Sequence, residues 1–106
     1  MAYVPDLLFG SNVVGQLTAA GHEATLVSDP AQLRDADAVV VDLTADAAER
    51  IAHVRGRGVP VLAFYSHVEA DVRALAEDAG LDLVVPRSRM AREGARLVER
   101  LVGAGP

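Results

Sequence analysis

The chain has 106 residues, of which 51% are hydrophobic and 24% are charged, and its formal net charge at pH 7 is −5. A chain of this length and composition can bury enough apolar surface to fold as one globular domain, which we expect to span residues 1–106. No uninterrupted apolar run approaches the roughly 18 residues of a transmembrane helix, and no secretory signal pattern is present. We therefore expect a cytoplasmic protein without a membrane partner.

Cysteine and lysine are both absent from the sequence. Without cysteine there is no disulfide, thiolate metal site or thiol nucleophile, and the scattered His22, His53 and His67 do not form a ligand pair. The absence of lysine excludes a Walker-type phosphate site and Schiff-base catalysis. These absences predict a protein without a bound metal or cofactor and favour a function other than catalysis.

Charge is distributed unevenly along the chain. The first 49 residues contain eight acidic residues and one arginine, whereas the remainder contains seven acidic residues and nine arginines. The negative net charge argues against general nucleic-acid binding. The second half of the chain is nevertheless the part that can meet an anionic partner.

Apolar runs alternate with amphipathic stretches along the whole sequence, which predicts five strand and helix units. Pro5 cannot donate to a ladder and is expected to mark the beginning of the first strand. The third strand, AVVVDL, is apolar without alternation, as expected for a strand covered on both faces. The strands are expected at residues 6–9, 24–28, 38–43, 59–65 and 81–85.

Each strand is followed by a predicted helix, the second of which is a single turn over residues 29–33. Capping and stop residues mark the other four helices. They are Ser11 or Asn12 and Gly21 for the first, Asp46 and the GRG of residues 56–58 for the third, the SHVE capping box of residues 66–69 and Gly80 for the fourth, and Ser88 for the last. The side chains expected to face the core are Val13, Val14, Leu17, Ile51, Val54, Val72, Leu75, Ala76, Ala79, Met90, Gly94, Leu97 and Leu101.

This strict alternation predicts an α/β fold, a doubly wound (βα)5 three-layer sandwich with a parallel sheet and helices on both faces. Ligands of such sheets bind beyond the carboxyl ends of the strands. The residues expected at that edge are Gly10, Ser11, Asn12, Asp29, Asp42, Thr44, Ser66, His67, Pro86, Arg87 and Ser88.

Three short segments carry a family resemblance over essentially the whole chain. Asp42 ends the third strand in VVVDLT, Ser66 ends the fourth in AFYS, and Pro86 follows the fifth in LVVPRS. In these positions the chain resembles the receiver domain of two-component response regulators. The resemblance implies a bacterial signalling module with strand order 2-1-3-4-5, in which Asp42 is the phosphoacceptor-like residue and Ser66 the switch-like residue.

The chain departs from receivers at two positions that their chemistry requires. Receivers hold Mg²⁺ with an acidic pair after the first strand, where we expect Gly10 and Ser11 here. The lysine that would hold the phosphoryl oxygen is replaced by Val85 or Arg87, depending on the register. Because phosphoryl transfer to a carboxylate needs a divalent cation, the resemblance is to a degenerate receiver that is not phosphorylated by the usual route.

These departures leave open what Asp42 and Ser66 do. Asp42 is either a vestigial acceptor or an anchor for the loop that follows it. Ser66 is either a switch residue or the serine of a capping box.

The stretch GSNVVG, residues 10–15, has a second interpretation. Gly10, Asn12 and Gly15 occupy the three glycine positions of the dinucleotide fingerprint, and Asp29 stands where the ribose-binding acid would be. With Arg87 and Ser88 they would form a small nucleotide- or phosphate-binding site. The competing interpretation is a tight turn and a helix cap.

The last predicted helix carries an outward row of arginines. The row is either a solvated face balanced by nearby acids or a docking face for another protein or a second copy of the chain. We expect a stand-alone, non-catalytic receiver-like module that acts through protein contact. The arginines of the row are Arg89, Arg92, Arg96 and Arg100.

Overall fold

The computed structural model describes residues 1–27, 33, 37–66 and 69–103. Its strands are β1 (Ala2–Tyr3), β2 (Leu26–Val27), β3 (Val39–Asp42), β4 (Val61–Tyr65) and β5 (Leu83–Pro86). Its helices are α1 (Leu7–Ala19), α2 (Ala47–Val54), α3 (Ala70–Asp78) and α4 (Arg87–Gly103).

The five strands form one sheet in the order β2-β1-β3-β4-β5, and every neighbouring pair is parallel. The predicted α/β class, parallel sheet and strand order are therefore confirmed. The described residues contain four helices. The predicted single turn over residues 29–33 lies outside the described residues, except for the buried Leu33.

Apolar side chains pack on both faces of the sheet. One core cluster joins the strands to α1 and α4, and the other joins them to α2 and α3. Every residue of β3 and β4 is buried, which is why their sequences do not alternate between apolar and polar. The carboxyl ends of the central strands are consequently held between two packed helical layers.

The predicted first strand at residues 6–9 is wrong, because these residues enter α1. β1 instead comprises Ala2–Tyr3, and Val4 follows it with its amide donating to Val27 O over 3.2 Å. Proline disfavours helical geometry in the residue before it, so Pro5 keeps Val4 extended and lies at the end of the strand rather than at its beginning.

The N-cap of α1 is Asp6, not Ser11 or Asn12 as predicted. Its Oδ1 accepts hydrogen bonds from the amides of Leu8 and Phe9, each 3.1 Å long. A carboxylate at this position satisfies otherwise unpaired amides and complements the positive end of the helix dipole. The helix can therefore begin several residues earlier than the sequence pattern indicated.

Three other details of the predicted helices are wrong. α3 begins at Ala70 after the N-cap Glu69, so the capping box beginning at Ser66 does not form. α4 begins at Arg87, which places Ser88 inside its first turn. Leu75 is 43% exposed rather than buried.

The predicted ends of α1 and α3 agree with the backbone. Gly21 and Gly80 follow these helices with φ angles of 93° and 81°, a left-handed conformation that favours glycine. Within the described part of the chain, no helix is both long and apolar enough to cross a membrane.

Gly10 is a buried residue of α1 that faces Leu26 of β2 and Val4 at the end of β1. A Cβ at this position would lie 2.7 Å from Leu26 Cδ1 and 3.1 Å from the Val4 carbonyl oxygen. Gly15, one and a half turns later, is exposed and has nothing within 4 Å of the corresponding position. Gly10 thus permits a close approach of the helix to the sheet, whereas Gly15 meets no such constraint.

We predict that Gly10→Val lowers the free energy of unfolding by about 1–3 kcal/mol, because the added side chain overpacks the α1 contact with β1 and β2. Urea denaturation measures the change. Gly15→Val is the matched control and should alter stability by less than about 0.5 kcal/mol. Equal effects of the two substitutions would contradict this account of Gly10.

Candidate functional site

The carboxyl ends of the strands bring together residues that are distant in sequence. Asp6 follows β1, Asp42 ends β3, Ser66 follows β4 and Arg87 follows β5. Because the strands are parallel, these ends lie at one edge of the sheet, where ligand and partner sites of such folds are found.

Asp42 is closed off at this edge. The residue is only 4% exposed. Its Oδ1 accepts hydrogen bonds from the Thr44 amide over 2.8 Å and from Thr44 Oγ1 over 2.5 Å. An aspartate that bonds the backbone two residues later holds a tight turn. This geometry agrees with the interpretation of Asp42 as a loop anchor.

The cation that neutralises Asp42 is Arg50 of α2, which the sequence analysis missed. Arg50 Nη1 lies 3.8 Å from Asp42 Oδ2 and donates a 2.9 Å hydrogen bond to the Asp42 carbonyl oxygen. Its side chain is only 12% exposed, and its Cζ lies 5.8 Å from the centre of the Tyr3 ring. Nη2 lies 3.9 Å from Oδ2 of Asp46. The guanidinium therefore occupies the space between two carboxylates.

A second acid and arginine pair joins the starts of α1 and α4. Arg87 Nη2 lies 3.6 Å from Asp6 Oδ2, the oxygen that does not cap α1. Arg87 Cζ also lies 4.3 Å from the centre of the Phe9 ring, which in turn lies 4.9 Å from that of Phe64. This contact is a cation–π interaction above an aromatic pair.

The position of Asp6 corrects the predicted end of the first strand. Gly10 and Ser11 are not there, because both lie within α1. An acidic residue does follow β1, but its carboxylate is committed to the helix amides and to Arg87. Among the described residues, no group of three or more His, Asp or Glu side chains is arranged to hold a metal ion.

The GSNVVG stretch does not form the turn between strand and helix that the dinucleotide fingerprint requires. Residues 10–15 lie in the interior of α1, and the Gly10 amide donates to the Asp6 carbonyl oxygen over 2.7 Å. Ser11 and Asn12 are exposed on the helix surface, and Asn12 Oδ1 accepts from Gln16 Nε2 over 2.9 Å. Asp29 and His67 lie outside the described residues.

Ser66 is half-buried after β4, and its carbonyl oxygen accepts a 2.9 Å hydrogen bond from the Glu69 amide. Ser88 is exposed in the first turn of α4. The structure thus brings Asp6, Asp42, Thr44, Ser66, Arg87 and Ser88 to the carboxyl edge.

The row of arginines on α4 is divided by a kink at Glu93, whose φ and ψ of −127° and 15° are not helical. Arg89 is half-buried and its Nε lies 3.3 Å from Glu93 Oε2. Arg92, Arg96 and Arg100 are exposed and have no ion-pair partner among the described residues.

Gln16 joins α1 to α4 at this kink. Its Nε2 lies 2.9 Å from the Ala91 carbonyl oxygen and 3.4 Å from that of Met90, carbonyls that precede the non-helical residue. Gly94 leaves room for the contact, since a Cβ there would lie 3.1 Å from Gln16 Oε1. Gln16 lies one turn after Asn12, a spacing that could have indicated a polar helix contact.

Leu8 is the most exposed large hydrophobic residue in the described part of the chain, at 88%. It lies in the first turn of α1, two residues after Asp6 and next to Phe9. The sequence analysis missed it because it assigned this leucine to a strand. A single exposed leucine is common on a protein surface. This one lies at the carboxyl edge of the sheet, next to the contact between Phe9 and Arg87.

A wide hollow lies at the opposite, amino edge of the sheet, with a volume of about 1260 Å³. It is lined by Met1, Leu17, His22, Asp37 and Val98, among others, and by none of the predicted site residues. Burial lowers the pKa of the Met1 ammonium, an effect that the Asp37 carboxylate opposes. This hollow therefore does not coincide with the polar groups of the carboxyl edge.

In comparisons with known proteins, no family model, curated protein or solved structure matches the chain.

We predict that Arg50→Gln lowers the free energy of unfolding by about 3 kcal/mol, because it leaves a buried carboxylate without its cation. Urea denaturation provides the measurement. The double variant Asp42→Asn with Arg50→Gln should recover a substantial part of this loss, since the charge that needs the cation is gone.

The matched control is Arg73→Gln, because Arg73 pairs with Glu77 over 3.3 Å on the exposed side of α3. We expect a change of less than about 0.5 kcal/mol there. Simple additivity of the Asp42 and Arg50 substitutions would contradict the proposed coupling.

Proposed function

We propose that the protein is a non-catalytic, receiver-like module with a flavodoxin-like topology that acts by binding another protein. The contact surface is the carboxyl edge of the sheet with the adjoining exposed faces of α1 and α4. The observation that carries the proposal is Leu8, which is 88% exposed beside the Asp6 and Arg87 pair.

The state of Asp42 supports a function that does not depend on phosphorylation. A carboxylate that accepts a phosphoryl group must be open to the phosphoryl donor and to a divalent cation. Asp42 is instead buried, bonded to Thr44 and approached by Arg50. Arg50 places a positive charge beside Asp42, where a metal-dependent phosphoacceptor would need room for a divalent cation.

The surroundings of Leu8 support a protein as the ligand. Protein contact sites commonly combine an apolar anchor with arginine and a polar rim. Leu8 is accompanied by the exposed Arg87 and Ser88. The folded scaffold holds this group in place, because Asp6 caps α1 and also pairs with Arg87.

Incubation with acetyl phosphate and Mg²⁺ should not add a phosphoryl group to Asp42, as measured by intact-protein mass spectrometry. The bonds from Thr44 and the neighbouring guanidinium leave the carboxylate unavailable. A phosphoryl adduct that disappears in Asp42→Asn would overturn the claim that the function does not depend on phosphorylation.

Site-specific photo-crosslinking tests the contact surface. With p-benzoylphenylalanine in place of Leu8, we expect a discrete protein adduct in the cells that make this protein, and Arg87→Glu in the same chain should weaken it. The same photoreactive residue in place of Arg73, on the exposed side of α3, serves as the control. Identical adducts from both positions, or none from Leu8, would contradict docking at this edge.

A further inference from the structure

We infer that α4 exchanges between two hydrogen-bonded forms, the kinked helix described above and a continuous helix, and that Gln16 of α1 controls their ratio. The kinked form is the one in which Arg87 contacts Asp6 and Phe9 at the carboxyl edge. The inference rests on the proposed function, because it gives the contact surface proposed there a conformational switch within the protein.

The kink at Glu93 coincides with a side chain that comes from another helix. In a regular α-helix, the carbonyl oxygens of Met90 and Ala91 would accept hydrogen bonds from amides four residues later. In this protein they accept from Gln16 Nε2, over 3.4 and 2.9 Å. A side chain that enters the backbone ladder is a known cause of kinks, and α4 contains no proline, which is another. We therefore attribute the kink to Gln16.

The side-chain amide of Gln16 has more acceptors than protons. Such an amide has two N–H bonds. Nε2 lies within 3.4 Å of the carbonyl oxygens of Met90 and Ala91 and 2.9 Å from Oδ1 of Asn12, which belongs to the same helix as Gln16. The acceptors on α4 and the acceptor on α1 consequently compete for one donor group.

A continuous α4 would also satisfy the backbone groups at this point. The amides of Gly94 and Ala95 would then donate to the carbonyls that Gln16 now serves, and Gln16 would keep its hydrogen bond to Asn12. Because the number of hydrogen bonds is similar in the two forms, small differences in the surrounding contacts determine which form predominates.

The core beside the kink can adapt to both forms. Met90 is fully buried, and methionine has a flexible side chain that fills irregular space. Gly94 is also buried, and a Cβ at this position would lie 3.0 Å from Met90 Cε and 3.1 Å from Gln16 Oε1. The kinked form therefore requires the absence of a side chain at position 94.

The kink is linked to the carboxyl edge through the first turns of α4. This segment lies between β5 and the kink and begins with Arg87, whose Nη2 lies 3.6 Å from Asp6 Oδ2 and whose Cζ lies 4.3 Å from the centre of the Phe9 ring. A rotation of the segment at the kink changes the position of Arg87 relative to α1. The contacts of Gln16 and Arg87 thus stabilise the same form, so they are energetically coupled in both directions.

Three variants of the full chain test the switch. Gln16→Leu removes the donor, and Gly94→Ala places a Cβ against Gln16 and favours regular helix, so both should increase the continuous form. Asn12→Ala removes the competing acceptor on α1 and should increase the kinked form. Opposite effects of the substitutions at Asn12 and Gln16 distinguish a switch from a contact that only stabilises the fold.

NMR of the ¹³C,¹⁵N-labelled protein measures the two forms. The scalar coupling across a hydrogen bond from the Ala95 amide to the Ala91 carbonyl reports the continuous helix. We expect this coupling to rise in Gln16→Leu and to fall in Asn12→Ala, with hydrogen exchange of the Ala95 amide about tenfold slower in the first variant than in the second.

The Arg87 Hε resonance reports the carboxyl edge, because the Phe9 ring shifts protons that lie over it. Gln16→Leu should move this resonance towards its value in an unfolded chain, whereas Asn12→Ala should not. By reciprocity, Arg87→Gln should raise the coupling between Ala95 and Ala91. The matched control is Arg73→Gln on α3, which should leave the coupling and the Arg87 resonance unchanged.

Unchanged amide resonances in α2 and α3 establish that each variant is folded. Equal effects of Asn12→Ala and Gln16→Leu, a kink that persists in Gln16→Leu, or an Arg87 resonance that does not respond would each overturn the inference.

The photo-crosslink from position 8 separates this failure from that of the proposed function. Gln16→Leu should weaken the adduct, and an undiminished adduct would overturn the regulatory role of the switch. If the NMR changes occur as expected while no adduct forms from position 8, the proposed function fails and the two forms of α4 stand.

Discussion

A buried carboxylate at the end of the central strand is the constraint on which the carboxyl edge depends. β3 is covered on both faces, so its last side chain, that of Asp42, enters a region from which water is excluded. An unpaired charge there would cost several kcal/mol. The Thr44 turn and Arg50 remove this cost, and in doing so they connect β3, the following loop and α2. The charge at the centre of the edge is therefore balanced within the protein, and the accessible groups lie at its periphery, among them Leu8 and Arg87.

The parts of the fold that the sequence predicts are those fixed by strong local patterns. The runs that form β3 and β4 are apolar because both their sides are covered, and Gly21 and Gly80 end helices because each adopts a positive φ. β1 has only two residues, so no periodicity could reveal it. The apolar residues of positions 7–9 are compatible with a strand or a helix. They form the first turn of α1, where Asp6 caps the free amides.

The sequence predicts where the candidate site lies, but it does not predict which side chains pair with one another there. That Asp42, Ser66 and Arg87 end or follow strands can be read from the sequence, because parallel strands have their carboxyl ends at one edge. That Asp6 pairs with Arg87 cannot, since the two residues are close to opposite ends of the chain and no spacing rule links them. Arg50 was missed for a related reason. An arginine on an amphipathic helix is normally solvated, and this one is half-buried because its guanidinium contacts the buried Asp42.

The side-chain amide of Gln16 sets how α1 lies against α4. Two helices that touch only through aliphatic side chains can settle at several axial offsets with little difference in energy, whereas a hydrogen bond to one particular carbonyl selects a single offset. By bonding the Ala91 and Met90 carbonyls at the interruption in α4, Gln16 fixes the longitudinal alignment of the two helices. The same alignment holds the first turn of α1, with Asp6 and Leu8, at one position relative to Arg87 of α4.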